Sequence, residues 1–193
     1  IAQMSCNPCI GGIAKGHVVR EIDALGGSQG KIADASTIQF RMLNSAKGPA
    51  VRSPRSQCDK VIHQRGMKFE LENQPNLDIK QAMVTAFIIE NGLIRGIETN
   101  FTDQFYCAAI VLCTGTFLNG KLHYGMNEVL GGRAGDPPSV KLAEALRAQL
   151  GLNTGRLKTG TPPRILAKTI DFSEMRRQDA ETFEENFSYF PDN

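Results

Sequence analysis

Tryptophan is absent and only three tyrosines occur in 193 residues, which leaves few platforms on which RNA bases would stack. Charge excess is missing too: 22 basic side chains against 20 acidic ones give +2, too small by itself to establish a nucleic-acid partner. No stretch reads as a signal peptide or an uninterrupted membrane span, so no membrane is expected. The five cysteines are odd in number and scattered, which excludes the disulfide framework of a small secreted domain and fits a reducing cytoplasm. Zinc is disfavoured as well, and no metal is expected. Besides Cys6 and Cys9, the residues Cys58, Cys107, Cys113, His17, His63 and His123 form no second ligand pair at the usual spacing. Nor does any G-x-G-x-x-G follow a strand and open a helix, as the phosphate loop of a dinucleotide site would. Repeats and low-complexity blocks are lacking. What remains is 41% hydrophobic and 22% charged, enough for one substantial globular core.

What the sequence does hold is a reactive side chain set against glycine-rich backbone. Ser5-Cys6-Asn7-Pro8-Cys9-Ile10-Gly11-Gly12-Ile13-Ala14-Lys15-Gly16-His17 opens on a non-helical turn, because the residue before Pro8 is pushed out of the helical region. Its glycines allow tight turns or close approach to a ligand, although no strand is expected ahead of Gly11-Gly12. Val18, Ile22 and Leu25 then repeat at helical spacing until Gly26-Gly27 stops them. Cys6 is thereby expected near the start of a helix, where unpaired amides favour a thiolate. Two other readings stay open on the residues alone. Free cysteines are common as small buried apolar residues, and the C-x-x-C spacing of Cys6 and Cys9 suits a redox dithiol.

Residues 28–35 read as a short helix and 37–43 as a strand, followed by a loop over 44–49. The spacing of Val61, Ile62, Met67, Phe69 and Leu71 predicts one long helix over 53–72, with Ser53 as N-cap, Pro54 at the first helical position and a basic surface. Between Arg41 and Lys68 seven basic residues accompany one acid, Asp59. Beyond Gln74-Pro75-Asn76 come β-type segments at 77–80, 83–90, 93–99 and 101–107, with Asn91-Gly92 as a hairpin turn. The apolar run 108–113 predicts a strand buried on both faces that ends at the turn Thr114-Gly115-Thr116. Residues 131–138 are a glycine- and proline-rich loop, after which Ser139 starts a helix to Leu150. A second loop over 153–164 carries Arg156, Lys158 and Arg164 without an acid, and 165–193 are weakly patterned. Helix, buried strand and inserted antiparallel meander argue for an α/β nucleotide-binding domain with a small β insertion.

Several ordered runs are more specific than these patterns. Met4-Ser5-Cys6-Asn7-Pro8, Gly11-Gly12-Ile13, Lys15-Gly16-His17 and Asp23-Ala24-Leu25-Gly26-Gly27 resemble the glucose-inhibited division protein A family (GidA, also MnmG). The resemblance continues through Lys47-Gly48-Pro49-Ala50-Val51-Arg52, Gly115-Thr116-Phe117-Leu118, 131–139 and 155–164. It implies an FAD-dependent enzyme acting on the wobble uridine of certain transfer RNAs. The implied fold is part of a Rossmann-like FAD-binding domain, in a flavoprotein architecture resembling glutathione reductase. By that resemblance 1–157 belong to the FAD domain, with the meander at about 76–107, and 158–193 begin the following insertion or NADH-binding domain. The family places its phosphate loop upstream and its chains are several times longer. With Ile1 rather than Met at the start, the chain is expected to be a fragment, inactive alone.

Residue by residue, the resemblance aligns Val84 and Ser139 with FAD contacts and sets Gly131, Gly132, Arg133 and Asp136 along the flavin region. Val84 alone would be plain core packing, and Ser139 could equally be only an N-cap. Cys6 aligns with one of two functional cysteines, the other lying downstream. The implied reaction modifies the uridine at carbon 5, with methylene-tetrahydrofolate as one-carbon donor, glycine or ammonium as amine donor, FAD and NADH for redox chemistry, and the GTPase MnmE as partner of a homodimer. Arg52, Arg156, Lys158 and Arg164 are the candidate transfer RNA contacts. Two departures stand out: Cys9 where the family commonly has a small residue such as alanine, and Ala14 where it commonly has glycine. Cys9 supports a rival reading, a flavin-dependent disulfide oxidoreductase using Cys6 and Cys9. A third class is a non-enzymatic RNA-binding module built on the basic stretches, but basic residues without interleaved aromatics are more often a solvated face.

Overall fold

A computed structural model describes residues 1–181 and 186–190. The chain forms two compact units, one of Ile1–Asp78 with Thr159–Asn193 and one of Ile79–Lys158. Every pairing between their named strands is antiparallel.

In the first unit β1 (Cys9–Gly11), β3 (Ser53–Cys58) and β2 (Thr37–Leu43) make a sheet in that spatial order, with Ile10 and Phe40 both opposite Ser56. Helices α1 (Lys15–Ala24) and α2 (Gln29–Ala35) come between β1 and β2, and α3 (Lys60–Glu72) follows β3. The long helix expected over 53–72 is therefore two elements. Residues 53–58 alternate in size rather than hydropathy, the small Ser56 and Cys58 buried and the longer Arg55 and Gln57 half-exposed, so a period of two fits the pleat. The hydroxyl of Ser53 donates to the Gly12 carbonyl and that of Ser56 pairs with Thr37, satisfying the polar groups that this burial costs. Pro54 is tolerated in the central strand because its carbonyl accepts from Gly12 N at 2.9 Å, so its missing N–H faces the point where β1 has ended. The true helix start is Asp59, whose Oδ1 accepts from the amides of Val61 at 2.8 Å and Ile62 at 3.0 Å.

The core of this unit holds Val19, Ala33, Cys58 and Phe187, with Met4, Ile10 and Phe40 against them. Phe187 meets Phe40 edge to face at 6.1 Å between ring centres. Farther along, Glu181 lies on the free edge of β2: its amide donates to the Phe40 carbonyl at 3.2 Å and its carboxylate accepts from Met42 N at 3.1 Å. Helix α1 presents a different face from the expected one. Gly16, Val19 and Asp23 are buried, while Val18, Ile22 and Leu25 are exposed, Leu25 by 90%. Close approach to β3 decides this, since a Cβ on Gly16 would strike Ser53 and Pro54.

The second unit contains the expected meander as β4 (Val84–Glu90), β5 (Leu93–Thr99) and β6 (Gln104–Tyr106), paired in sequence order. Asn91 at φ 52° and Gly92 at φ 77° form the two-residue turn between β4 and β5. No strand forms at 77–80. Helix α4 (Val140–Ala148) packs on β4 through Phe87, Leu142, Ala145 and Leu146. Just past α4, the Gln149 amide group exchanges two hydrogen bonds with the backbone of Phe87, at 2.9 and 3.3 Å, filling a ladder position at the sheet edge. A hairpin absent from the sequence reading, β7 (Lys121–Tyr124) with β8 (Asn127–Leu130), turns at Gly125, φ 63°. The buried strand expected over 108–113 is not formed: Val111 is 84% exposed and only Ile110 of this run reaches the core. A doubly buried strand needs pairing partners on both edges, and among the described residues none pairs with it.

Candidate active site

Cys6 lies exposed in the turn that leads into β1. That turn is pinned behind the cysteine, where Cys9 N donates to the Asn7 carbonyl and Cys58 N to the Pro8 carbonyl, each at 2.7 Å. It is held on the cysteine itself by a distant loop. The Cys6 thiol donates to the Gly160 carbonyl at 3.4 Å, and Nη2 of Arg164 donates to the carbonyls of Ser5 at 3.0 Å and Cys6 at 3.3 Å. Two expectations are corrected here. A strand, β1, does run into the glycine pair and ends at Gly11, and because it intervenes Cys6 is not in the first turn of α1, which begins at Lys15.

Cys9 occupies a different environment. It is half-buried on β1 and lines a cavity of about 450 Å³ with Ile10, Lys15, Val18, Ile22 and Gln29. Burial pushes its thiol above the ordinary value, against the weaker opposing pull of Arg55 and Lys15. Neither cysteine is bridged. The turn from β1 into α1 is tight: Ala14, φ 63° and ψ −42°, centres a γ-turn in which Lys15 N donates to the Ile13 carbonyl at 2.8 Å. An L-residue is strained there and glycine would not be.

The residues expected along the flavin region all fall in the second unit. Val84, half-buried, begins β4 and packs on the core shared with α4. Ser139 stands at the N-cap position of α4, but its hydroxyl makes no capping hydrogen bond; only its backbone is engaged, its amide donating to the Phe117 carbonyl at 2.8 Å. Gly131 and Gly132 are buried, and the structure accounts for both by packing: a Cβ on Gly131 would press on Leu122, and one on Gly132 would enter the Phe117 ring. Arg133 and Asp136 form an ion pair across that loop.

The basic candidates divide between the units. Arg52, exposed after the 3-10 turn Pro49–Val51, and Arg164 belong to the first unit; Arg156 and Lys158, also exposed, belong to the second. Arg156 shares a hollow of about 180 Å³ with Asn119, Arg147 and Thr154. Its stretch has no acid in sequence but has one in space. Glu128 is held below the usual carboxylate range by Lys121 first and, more weakly, by His123 and Arg156. The pairing of Gly160 and Arg164 with Cys6 is the feature that sequence reasoning missed. In sequence its trace is the stiff run Gly160-Thr161-Pro162-Pro163-Arg164, which carries the family resemblance and a candidate RNA contact but no sign of its contact with Cys6.

The fold and site define a mixed α/β chain in which an exposed thiol is braced by a glycine- and proline-rich loop more than 150 residues away. The family model described as Glucose inhibited division protein A matches residues 1–193, and the chain belongs to that family. It is 48% identical to Aquifex aeolicus GidA in its form II crystal, with a TM-score of 0.88 over 97% of this chain and 31% of that one. Against the form I crystal of Aquifex aeolicus GidA the identity is 46% and the TM-score 0.88, over 99% of this chain and 33% of that one. The chain thus spans about a third of the length of these structures. Among the described residues no helix is long and apolar enough to cross a membrane, and no group of His, Cys, Asp and Glu is arranged to hold a metal ion.

Proposed function

We propose that this chain is part of an FAD-dependent enzyme that modifies carbon 5 of the wobble uridine in transfer RNA, with Cys6 acting on the pyrimidine. The observation that carries the reading is the family match over all 193 residues, joined to an exposed thiol whose backbone and sulfur are both held in place. Activation of a pyrimidine at carbon 5 calls for a thiolate adding at carbon 6 and a group managing the proton, and an exposed, positioned cysteine suits either task. Methylene-tetrahydrofolate would supply the one-carbon unit, glycine or ammonium the amine and NADH the reducing equivalents. The GTPase MnmE, a homodimeric assembly and a cytoplasmic setting complete the reading.

The flavin would supply the redox step. In this chain Val84 and Ser139 fit a role in holding it: Val84 offers strand backbone at the start of β4, and the Ser139 hydroxyl is not spent on capping α4. Gly131, Gly132, Arg133 and Asp136 shape the adjacent loop by contacts with one another and with Phe117, so their part would be to support Ser139 rather than to touch the cofactor. On this reading 1–157 belong to the flavin-binding domain and 158–193 begin the following one. Arg52, Arg156 and Lys158 remain the candidates for RNA phosphate contact, Arg156 with Arg147 beside it. The disulfide-oxidoreductase alternative is weakened by the differing settings of the two cysteines, Cys6 exposed and Cys9 half-buried with its thiol pushed up.

Two measurements on a chain of the relatives' full length test the reading. A flavin band is expected in its absorbance spectrum, and carbon-5-modified uridine in transfer RNA from cells that depend on it. A colourless protein that leaves the uridine unmodified would remove the proposal.

A further inference from the structure

We infer that Arg164 is a positioning residue for Cys6 rather than an RNA contact, an inference that rests on the catalytic reading of Cys6. One loop reaches the cysteine from both ends. The Gly160 carbonyl takes the thiol's hydrogen bond at 3.4 Å, while the Arg164 guanidinium takes the carbonyls of Ser5 and Cys6 at 3.0 and 3.3 Å. Between these two anchors stand Thr161, Pro162 and Pro163. Both prolines have fixed φ, and the residue before each is confined to extended backbone. The spacing from carbonyl to guanidinium is therefore stiff, and it grips a segment already tied on its other side through the Pro8 carbonyl to Cys58 N at 2.7 Å. A thiol on an exposed turn would otherwise sample several directions. The Gly160 carbonyl holds only the protonated thiol; what still orients the side chain once the proton is given up for attack on a bound pyrimidine is the backbone clamp from Arg164. Nη2 of the guanidinium is directed at the turn's own carbonyls and is to that extent withdrawn from phosphates.

The test compares Arg164→Gln and Arg164→Lys with wild type in a chain of the relatives' full length, with Cys6→Ser alongside. It reads kcat and KM for uridine modification, the rate of Cys6 alkylation by iodoacetamide located by mass spectrometry, and the salt dependence of transfer RNA binding. Arg164→Gln is expected to lower kcat on the order of a hundredfold, to raise the alkylation rate several-fold as the thiol leaves the Gly160 carbonyl, and to leave KM and the salt slope at wild type. Arg164→Lys, which keeps a charged donor, should recover part of kcat. A raised KM and a shallower salt slope with kcat and alkylation unchanged would overturn the inference and make Arg164 a phosphate contact. Full modification by Cys6→Ser would instead overturn the catalytic reading beneath it, and the alkylation rate would still report whether Arg164 sets the thiol. Should Arg164→Gln fail to fold, the lysine variant carries the same comparison.

Discussion

Ser188 donates its hydroxyl to Oδ1 of Asp23 at 2.7 Å, in a buried pair whose members are 165 residues apart. Oδ2 of the same carboxylate accepts from Tyr189 N at 2.7 Å, and a second carboxylate, Asp34, accepts from the amides of Phe187 and Ser188 at 2.8 Å each. Two acids, from α1 and α2, thus hold the segment that carries Phe187 into the core. Charge-assisted hydrogen bonds of this kind are the stronger ones, and deleting the acceptor leaves buried donors without partners. Asp23→Ala is therefore expected to cost about 3 kcal/mol, and Phe187→Ala about 3–5 kcal/mol through the cavity it leaves. Urea unfolding of the first unit measures both. A loss below about 1 kcal/mol for Asp23→Ala would mean that the clamp contributes little.

His63 sets a pH dependence. It is 3% exposed in α3, neither ring nitrogen has a hydrogen-bond partner among the described residues, and burial lowers its pKa from the ordinary value. The unfolded chain takes up the imidazole proton near pH 6.5, whereas the folded chain resists it. This contribution to stability is thus complete above about pH 6.5 and declines as pH falls below it, with a slope of at most about 1.4 kcal/mol per pH unit, until the folded ring protonates too. Unfolding free energies of wild type and His63→Leu between pH 7.5 and about pH 5 should therefore diverge in slope, the variant being flatter. Parallel slopes would show that the ring already carries its proton freely in the fold.

Asn91-Gly92, the α4 pattern and the meander were readable in the sequence because local backbone preference and core burial agree there. The 53–58 strand was not, since its buried side is serine and cysteine and a hydrophobic count sees nothing; the period lies in side-chain size. The α1 stripe misled for the opposite reason: Val18, Ile22 and Leu25 have helical spacing, yet Gly16 and Asp23 decide the buried face through contacts with Pro54 and Ser188 that no local window contains. Within the candidate site, the non-helical turn that carries Cys6 was legible from Asn7-Pro8, while its contact with Arg164, 158 residues away, lies outside any local window.

Gly132 separates packing from cofactor contact. A Cβ there would enter the Phe117 ring, so Gly132→Ala should destabilise the second unit by about 1–3 kcal/mol through overpacking, with or without added flavin. Thermal unfolding with and without FAD checks this. Unchanged stability together with lost flavin binding would assign Gly132 to the cofactor directly.

The two cysteines separate the proposed function from its nearest rival. If Cys6 works on the uridine, Cys6→Ser should abolish modification while flavin content and thermal stability stay near wild type, because exchanging thiol for hydroxyl changes volume little and nucleophilicity greatly. Among the described residues, the side-chain bond it disturbs is the exposed one to the Gly160 carbonyl. Cys9→Ala should be tolerated for modification: it trims a half-buried group at the wall of the β1–α1 cavity, at a stability cost of about 1 kcal/mol. A redox dithiol would behave otherwise, since a disulfide needs both sulfurs and the two substitutions would then be equally damaging. Quantifying the modified nucleoside in transfer RNA from cells carrying each variant decides the matter. Near-normal modification with Cys6→Ser removes the catalytic assignment, and equal loss from both variants with folding intact returns the disulfide chemistry to first place.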